Sequence, residues 1–397
     1  MKTRPSDSAS SPFFSRTGPV FFLTGIFFLN FVSRIILAPL LPAMEKDMGL
    51  SHGEGGSFFL YISIGYFAGL VASGVISARL KHRNTITLSA VAVGLALMGI
   101  GLSNGLYAVR LELLLVGAAA GLYLPSGIAT LTSLIDPGHW GKAIAVHELA
   151  PNLAFIAAPL ISEALLEWFS WRGVLVFLGG ISLLTGAAFA RFGRGGDFPG
   201  ESPGFSACRG LFREKRFRVM VVLFSLGIAG TLGIYTMLPL FLVSFRGMER
   251  EWANTLIALS RIPGPVMALL AGWASDRLGT GRTMGGVFLF TGLLTILLGT
   301  VPDSWVVALV FAQPVIAVCF FPPGFAALSS IGPAGSRNVV IAFTVPMAFV
   351  LGGGLIPTGI GVMGDAGAFP LGIACVGVLI LAGALPAVRT AWTPPQD

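Results

Sequence analysis

Residues 191–218 read RFGRGGDFPGESPGFSACRGLFREKRFR, the longest polar stretch in the chain. It is dense in Gly, Pro and Arg, which interrupt regular structure. Apolar sequence lies on either side. Runs at 20–42, 57–79, 84–104, 106–134, 142–165 and 172–191 precede it, and runs at 219–245, 252–275, 283–302, 304–331, 338–362 and 367–389 follow it. A helix needs about 20 apolar residues to cross a bilayer, so each run predicts one span. The stretch is then a linker between two six-span halves. The expected division is a tail at 1–19, a bundle at 20–191, the linker at 192–218, a second bundle at 219–390 and a tail at 391–397.

Composition points the same way. Of 397 residues, 54% are hydrophobic and 11% charged, against about 25% charged in soluble domains. Mean hydropathy is +0.84. Such a chain needs lipid around it. The net charge of +7 is not gathered into runs that suit nucleic acid. Most basic residues fall in the tails, the linker and the loops after spans 2, 4, 8 and 10. The other loops hold Lys46, Arg172, Arg246 and Arg250. The bias places both termini in the cytoplasm, with a bacterial inner membrane as the expected location. The first run is too long for a signal-peptide core and reads as an uncleaved span. Cys208, Cys319 and Cys375 are isolated, so no disulfide framework, metal site or cofactor is expected. No nucleotide loop or nucleophile motif argues for an enzyme, and no extra folded domain argues for a receptor.

The halves repeat. At an offset of 198, Gly74 meets Gly272, Arg79 meets Arg277, Pro125 meets Pro323 and Pro159 meets Pro357. Two like-oriented halves predict a transporter with its site between them near the midplane. The fold class is an all-α membrane protein: twelve transmembrane helices in two pseudo-symmetric bundles around a central cavity.

The segment GWASDRLGTGR, Gly272 to Arg282, resembles the loop signature of the major facilitator superfamily, G-x-x-x-D-R-x-G-x-x-R. The first-half copy, GVISARLKHR, has Ala78 where the family has Asp. GAAAGLYLPSG (117–127) and DPGHWGKAIA (136–145) resemble the family's spans 4 and 5. The resemblance implies rocking of one half on the other, with Gly272, Asp276, Arg277, Gly279 and Arg282 as a cytoplasmic gate. Leu113 stands where span 4 usually carries Arg, and Arg110 lies one turn earlier. The antiporter signature of span 5 keeps Pro159, with Ala158, Ser162 and Glu163 replacing its glycines.

Two arginines lie within spans at similar depth, Arg34 in LNFVSRIILAPLLP and Arg261 in ALSRIPGP. A charge in mid-bilayer costs about 2.5–3.5 kcal/mol on insertion scales, so it marks function by default. Guanidinium offers a planar fork to a carboxylate or phosphate. The expected substrate is a small organic anion. Asn30, four residues before Arg34, shares its helix face. Tyr66, Tyr235 and Gln313 fall at comparable depth as neutral donors. SRIPGP resembles the monocarboxylate transporters, with Ile257 in place of their Asp, and an Arg in span 1 resembles the organophosphate antiporters.

Glu148, in the inner part of span 5, is the candidate proton carrier: a carboxyl in a low-dielectric wall can load and release protons near neutrality. His147 adjoins it, but neighbours point about 100° apart on a helix, so the two need not act together. The reading is a monomeric secondary transporter for a small carboxylate-type anion, coupled to protons. The alternative is a drug or metabolite exporter whose arginines form structural ion pairs.

Overall fold

The computed structural model describes residues 17–201, 212–331 and 337–392. Most of the expected N-terminal tail, Cys208 and the last five residues lie outside them. Every regular element among the described residues is a helix. Eleven segments are long and apolar enough to cross a membrane. One of them, His52–Leu102, is 51 residues long, far more than one crossing needs. It turns at Lys81, whose backbone leaves the helical region at φ 66°, ψ 158°. Counting it as spans 2 and 3 gives twelve spans. Span 1 is Thr17–Met48, and spans 4 to 6 are Leu106–Leu134, Pro137–Leu166 and Trp171–Phe192. Spans 7 to 12 are Lys215–Phe245, Arg250–Leu278, Thr280–Thr300, Asp303–Ser329, Val340–Asp365 and Phe369–Arg389. Span 2 begins earlier than hydropathy predicts because polar residues cap it. At span 2, Ser51 and Glu54 form a reciprocal capping box.

The repeat seen in the sequence is also a repeat of contacts. Gly94 of span 3 meets Gly179 of span 6, and a Cβ on either would lie 2.7 Å from the other's carbonyl oxygen. Gly292 of span 9 meets Gly377 of span 12 in the same way, at 2.8 Å. These pairs are related by the 198-residue offset. Only a hydrogen in place of a side chain lets backbones come so near, and in lipid such close packing holds helices together. Gly65 and Gly69 meet Gly117 and Gly121 across spans 2 and 4, fixing the helix that carries Tyr66.

Several spans are broken near mid-membrane. Span 1 breaks between helices Thr17–Ile35 and Leu37–Met48. Pro39 is the cause, since its ring clashes with the carbonyl of residue 35 and it lacks an N–H. Span 8 breaks between Arg250–Ser260 and Gly264–Leu278, at Pro263. Spans 7 and 11 contain π-helical turns at Ala229–Gly233, Phe241–Phe245 and Phe349–Leu355, which are found often at functional sites.

Polar contacts between the halves, among the described residues, lie at mid-depth or toward the face away from the chain ends. Asp365, ending span 11, accepts from His52 N (2.6 Å), Gly53 N (2.9 Å) and Ser51 Oγ (2.9 Å) at the start of span 2. His52 Nδ1 is 2.8 Å from Glu45. Glu163 of span 5 faces Arg250 (3.1 Å) and Asn254 (2.5 Å) of span 8. The halves are clasped at that end.

Candidate functional site: two unpaired arginines

Proline breaks decide where the arginines sit. Arg34 lies in the last turn of the first half-helix of span 1. Arg261 is the residue directly after the first half-helix of span 8. A helix carboxyl end carries partial negative charge and favours a cation by about 0.3–1 kcal/mol.

Aromatic rings supply the rest of the surroundings. The Arg34 guanidinium lies 4.2 Å from the Tyr66 ring centre, 4.5 Å from Phe31 and 5.7 Å from Phe349. That of Arg261 lies 4.8 Å from Tyr235 and 4.9 Å from Phe155. Each such contact contributes about 0.5–1 kcal/mol, more when desolvated. With the helix-end effect, three rings offset most of the cost of about 2.5–3.5 kcal/mol for an arginine in lipid. The rings come from both halves. Phe349, of the second half, covers Arg34 of the first, and Phe155, of the first, covers Arg261 of the second. Phe31 and Phe155 touch edge to face at 5.2 Å, and Phe155 and Tyr235 at 4.8 Å. A run of touching rings, Phe31, Phe155 and Tyr235, thus links the surroundings of one arginine to those of the other.

Neither guanidinium has a carboxylate within 4 Å among the described residues. Both Nε atoms are buried without a hydrogen-bond partner. Arg34 is 6% exposed and lines a narrow pocket with Phe31, Phe59, Ser63, Tyr66, Thr236 and Phe349. Arg261 is half-buried and donates from Nη2 to the Thr231 carbonyl (3.2 Å). Tyr66 and Tyr235 thus stand beside the arginines. Asn30 and Gln313 do not. Asn30 shares a helix face with Arg34, yet its amide donates to Ala120 O (3.1 Å), and it lines a separate crevice. Gln313 donates to Gly230 O (2.7 Å) and Thr295 Oγ1 (3.2 Å). Both are occupied in helix packing, where an amide satisfies a carbonyl freed from, or shared with, its own helix.

Glu148 differs from the sequence reading in two ways. Its side chain is 50% exposed, and its Oε1 lies 3.3 Å from Nδ1 of the fully buried His147. Glu148 follows the short helix Trp140–His147, and this local end brings the two neighbours together. His147 Nε2 is 3.1 Å from the Tyr123 hydroxyl, which lies 2.6 Å from Leu23 O. Proton positions follow by count. A carbonyl cannot donate, so the single Tyr123 proton goes to Leu23 O. His147 Nε2 then carries the proton directed at Tyr123. A hydrogen bond between Nδ1 and the carboxylate of Glu148 then requires one further proton, on one group or the other. Phe27 stacks on the imidazole at 4.4 Å and holds its plane.

The expected gate residues are all near one loop. Asp276, Arg277 and Arg282 are exposed, and Arg277 rests 5.6 Å from the Trp273 ring. Gly279 has φ 90°, the conformation its place in the motif demands. Gly272 packs near Pro322. No ion pair joins them to the first half among the described residues.

The sequence of the Major Facilitator Superfamily, taken as a family, matches residues 23–357. The chain belongs to the major facilitator superfamily. It is a membrane-spanning transporter and not an enzyme. Among curated relatives, a probable sulfoacetate transporter of Cupriavidus necator is 22% identical over 321 residues, covering 75% of this chain and 74% of the relative. A gallate transporter of Pseudomonas putida is 22% identical, with 66% of each chain covered. A solved bacterial homologue of the human lysosomal transporter Spinster, inward-facing and unoccupied, superposes with a TM-score of 0.81 at 14% identity. That likeness covers 96% of this chain and 97% of the other.

Phe155, Phe349, Tyr123 and Asn254 were missed by sequence reasoning. Aromatic residues in an apolar span stand out only when their helix face is known. Phe31, three residues before Arg34, was within reach of the i, i+3 rule.

Proposed function

We propose that this transporter moves a small organic anion of carboxylate type by alternating access, with Arg34 as the group that receives it and Arg261 as a second cation that draws it to the site. The observation that carries this reading is one buried and one half-buried guanidinium with no carboxylate within 4 Å among the described residues. An unpaired buried charge is costly, and a ligand anion that forks onto it gains charge-assisted hydrogen bonds. Sulfoacetate and gallate, named for two relatives, are such anions. Tyr66 and Tyr235 orient the guanidiniums through their ring faces. Asn30 and Gln313, assigned to the site from sequence, support it through helix packing.

Glu148 and His147 form the proposed proton site, holding one proton that Tyr123 and Leu23 constrain from the far side. The basic residues favour both termini in the cytoplasm of a bacterial inner membrane. On that orientation the clasp is periplasmic. Gly272, Asp276, Arg277, Gly279 and Arg282 form a cytoplasmic gate that closes when the clasp opens. The chain works as a monomer, divided at 1–19, 20–191, 192–218, 219–390 and 391–397.

Flux into proteoliposomes tests this. A small carboxylate should accumulate when the outside is acidic. Glu148→Gln should lose pH-driven accumulation while keeping anion exchange, and Arg34→Gln should lose both. Extrusion of lipophilic dyes, equal in wild type and Arg34→Gln, would replace the reading with drug export.

A further inference from the structure

We infer that the Arg34 pocket takes aryl monocarboxylates, whose ring replaces that of Phe349. This rests on the organic-anion reading above and narrows it. The pocket has one cation, and no second one lines it. Arg261 does not line it, and one of its nitrogens is tied to Thr231 O. A short dianion with an acid at each end would leave one charge among apolar walls, which is costly. A single carboxylate on an apolar body matches both features.

The body is identified by what fills the pocket now. The free space left beside Arg34 holds about one water molecule. The volume is occupied by the protein's own phenyl ring. Phe349 reaches across from the second half onto Arg34 and packs edge to face on Tyr66 at 5.4 Å. It stands at the start of the π-helical turn Phe349–Leu355, which runs through Gly352, Gly353 and Gly354. Gly352 packs against the backbone of Ser225 and Ala229, and Gly354 against Leu60 and Ser63. Gly352 holds the segment on span 7 of its own half, whereas Gly354 and Phe349 meet span 2 and Arg34 of the other half, so Phe349 leaves Arg34 as the halves part. When Phe349 withdraws, a flat aromatic ring meets the surface that a flat aromatic ring has just left. The carboxylate of that ligand meets the guanidinium edge. Ser63 and Thr236 add hydroxyls on the rim of the pocket.

Binding to the purified transporter, measured by calorimetry, tests this with benzoate, 4-hydroxybenzoate, cyclohexanecarboxylate, acetate and sulfoacetate. Benzoates should bind at least about tenfold more tightly than acetate or sulfoacetate, from ring burial and aromatic contact. They should also exceed cyclohexanecarboxylate. Tyr66→Leu, which removes the π face that the ligand ring meets, should reduce the advantage of benzoate over cyclohexanecarboxylate to near unity, and Phe349→Ala, which removes the ring that must withdraw, should raise benzoate affinity. The wild-type ligand order stands without any variant. Sulfoacetate or acetate binding as tightly as benzoate, with all of them lost in Arg34→Gln, overturns the aryl assignment and keeps the anion site. Binding of no carboxylate, or equal binding in Arg34→Gln, overturns both.

Discussion

The two halves share a plan and differ in two places. Each closes the crossing of its third and sixth spans with a glycine pair, and each carries an arginine at the carboxyl end of a half-helix that proline breaks, in the first span of one half and the second span of the other. The first difference is enclosure. Arg34 is enclosed by three rings in a pocket, whereas Arg261 is half-buried with one nitrogen already bonded to Thr231 O. The second is the loop between the second and third spans of each half. Gly279 supplies φ 90° in the second half, and its counterpart in the first is Lys81 at φ 66°. Among the described residues, only the first loop is bonded to the central linker. His82 N donates to Phe198 O, Arg83 N to Gly196 O, and Gly200 N to Ser77 O, at 2.9–3.2 Å. Duplication supplies the architecture; function and its supports have since been divided unequally between the copies.

The largest expected effect separates the arginines. Arg34→Gln should weaken carboxylate binding about 100-fold or more, since a charge-assisted fork of two hydrogen bonds is lost. Radioligand binding reads this directly. Arg261→Gln should cost only about tenfold, because part of that guanidinium serves the backbone. Equal losses would erase the asymmetry.

The clasp comes next. Glu163→Ala leaves Arg250 and the buried Asn254 without their acceptor. The cost should be about 1–3 kcal/mol, favouring the conformation that is open on the clasped face. Spin labels on spans 5 and 8 at that face should show a longer, broader distance distribution in the variant.

The loops give the smallest effect and one of opposite sign. A non-glycine residue in the conformation of Lys81 stores about 1–3 kcal/mol. Lys81→Gly relieves this, less the entropy that glycine loses on folding, and should raise the unfolding midpoint slightly. Gly279→Lys imposes the same strain without the linker bonds and should lower it. Midpoints moving in the same direction would show that the loops are equivalent after all.

The number of spans, the repeat and both arginines were legible in the sequence because the bilayer makes length and charge conspicuous. Pro39 and Pro263 were visible too, though what they do to Arg34 and Arg261 emerges only once the helices end beside them. Helix rotation was not legible. Asn30 shares a face with Arg34, yet Ala120 O takes its amide. Phe349 and Phe155 act across the halves, some 300 and 100 residues from the arginines they cover, and nothing local distinguishes them from other phenylalanines. Glu163 was seen as a departure from a motif rather than as half of a clasp, because Arg250 and Asn254 reach it only through the fold. His147 and Glu148 come together because a helix ends between them, which their apolar flanks conceal.

The most direct test is titration of the purified transporter with a panel of small carboxylates, comparing wild type, Arg34→Gln and Arg34→Lys. Lysine keeps the charge and loses the planar fork. The predicted result is saturable binding in wild type, none in Arg34→Gln and weak binding in Arg34→Lys, with unfolding midpoints preserved. Equal affinity in all three would mean that Arg34 receives no anion and that its charge serves the fold alone.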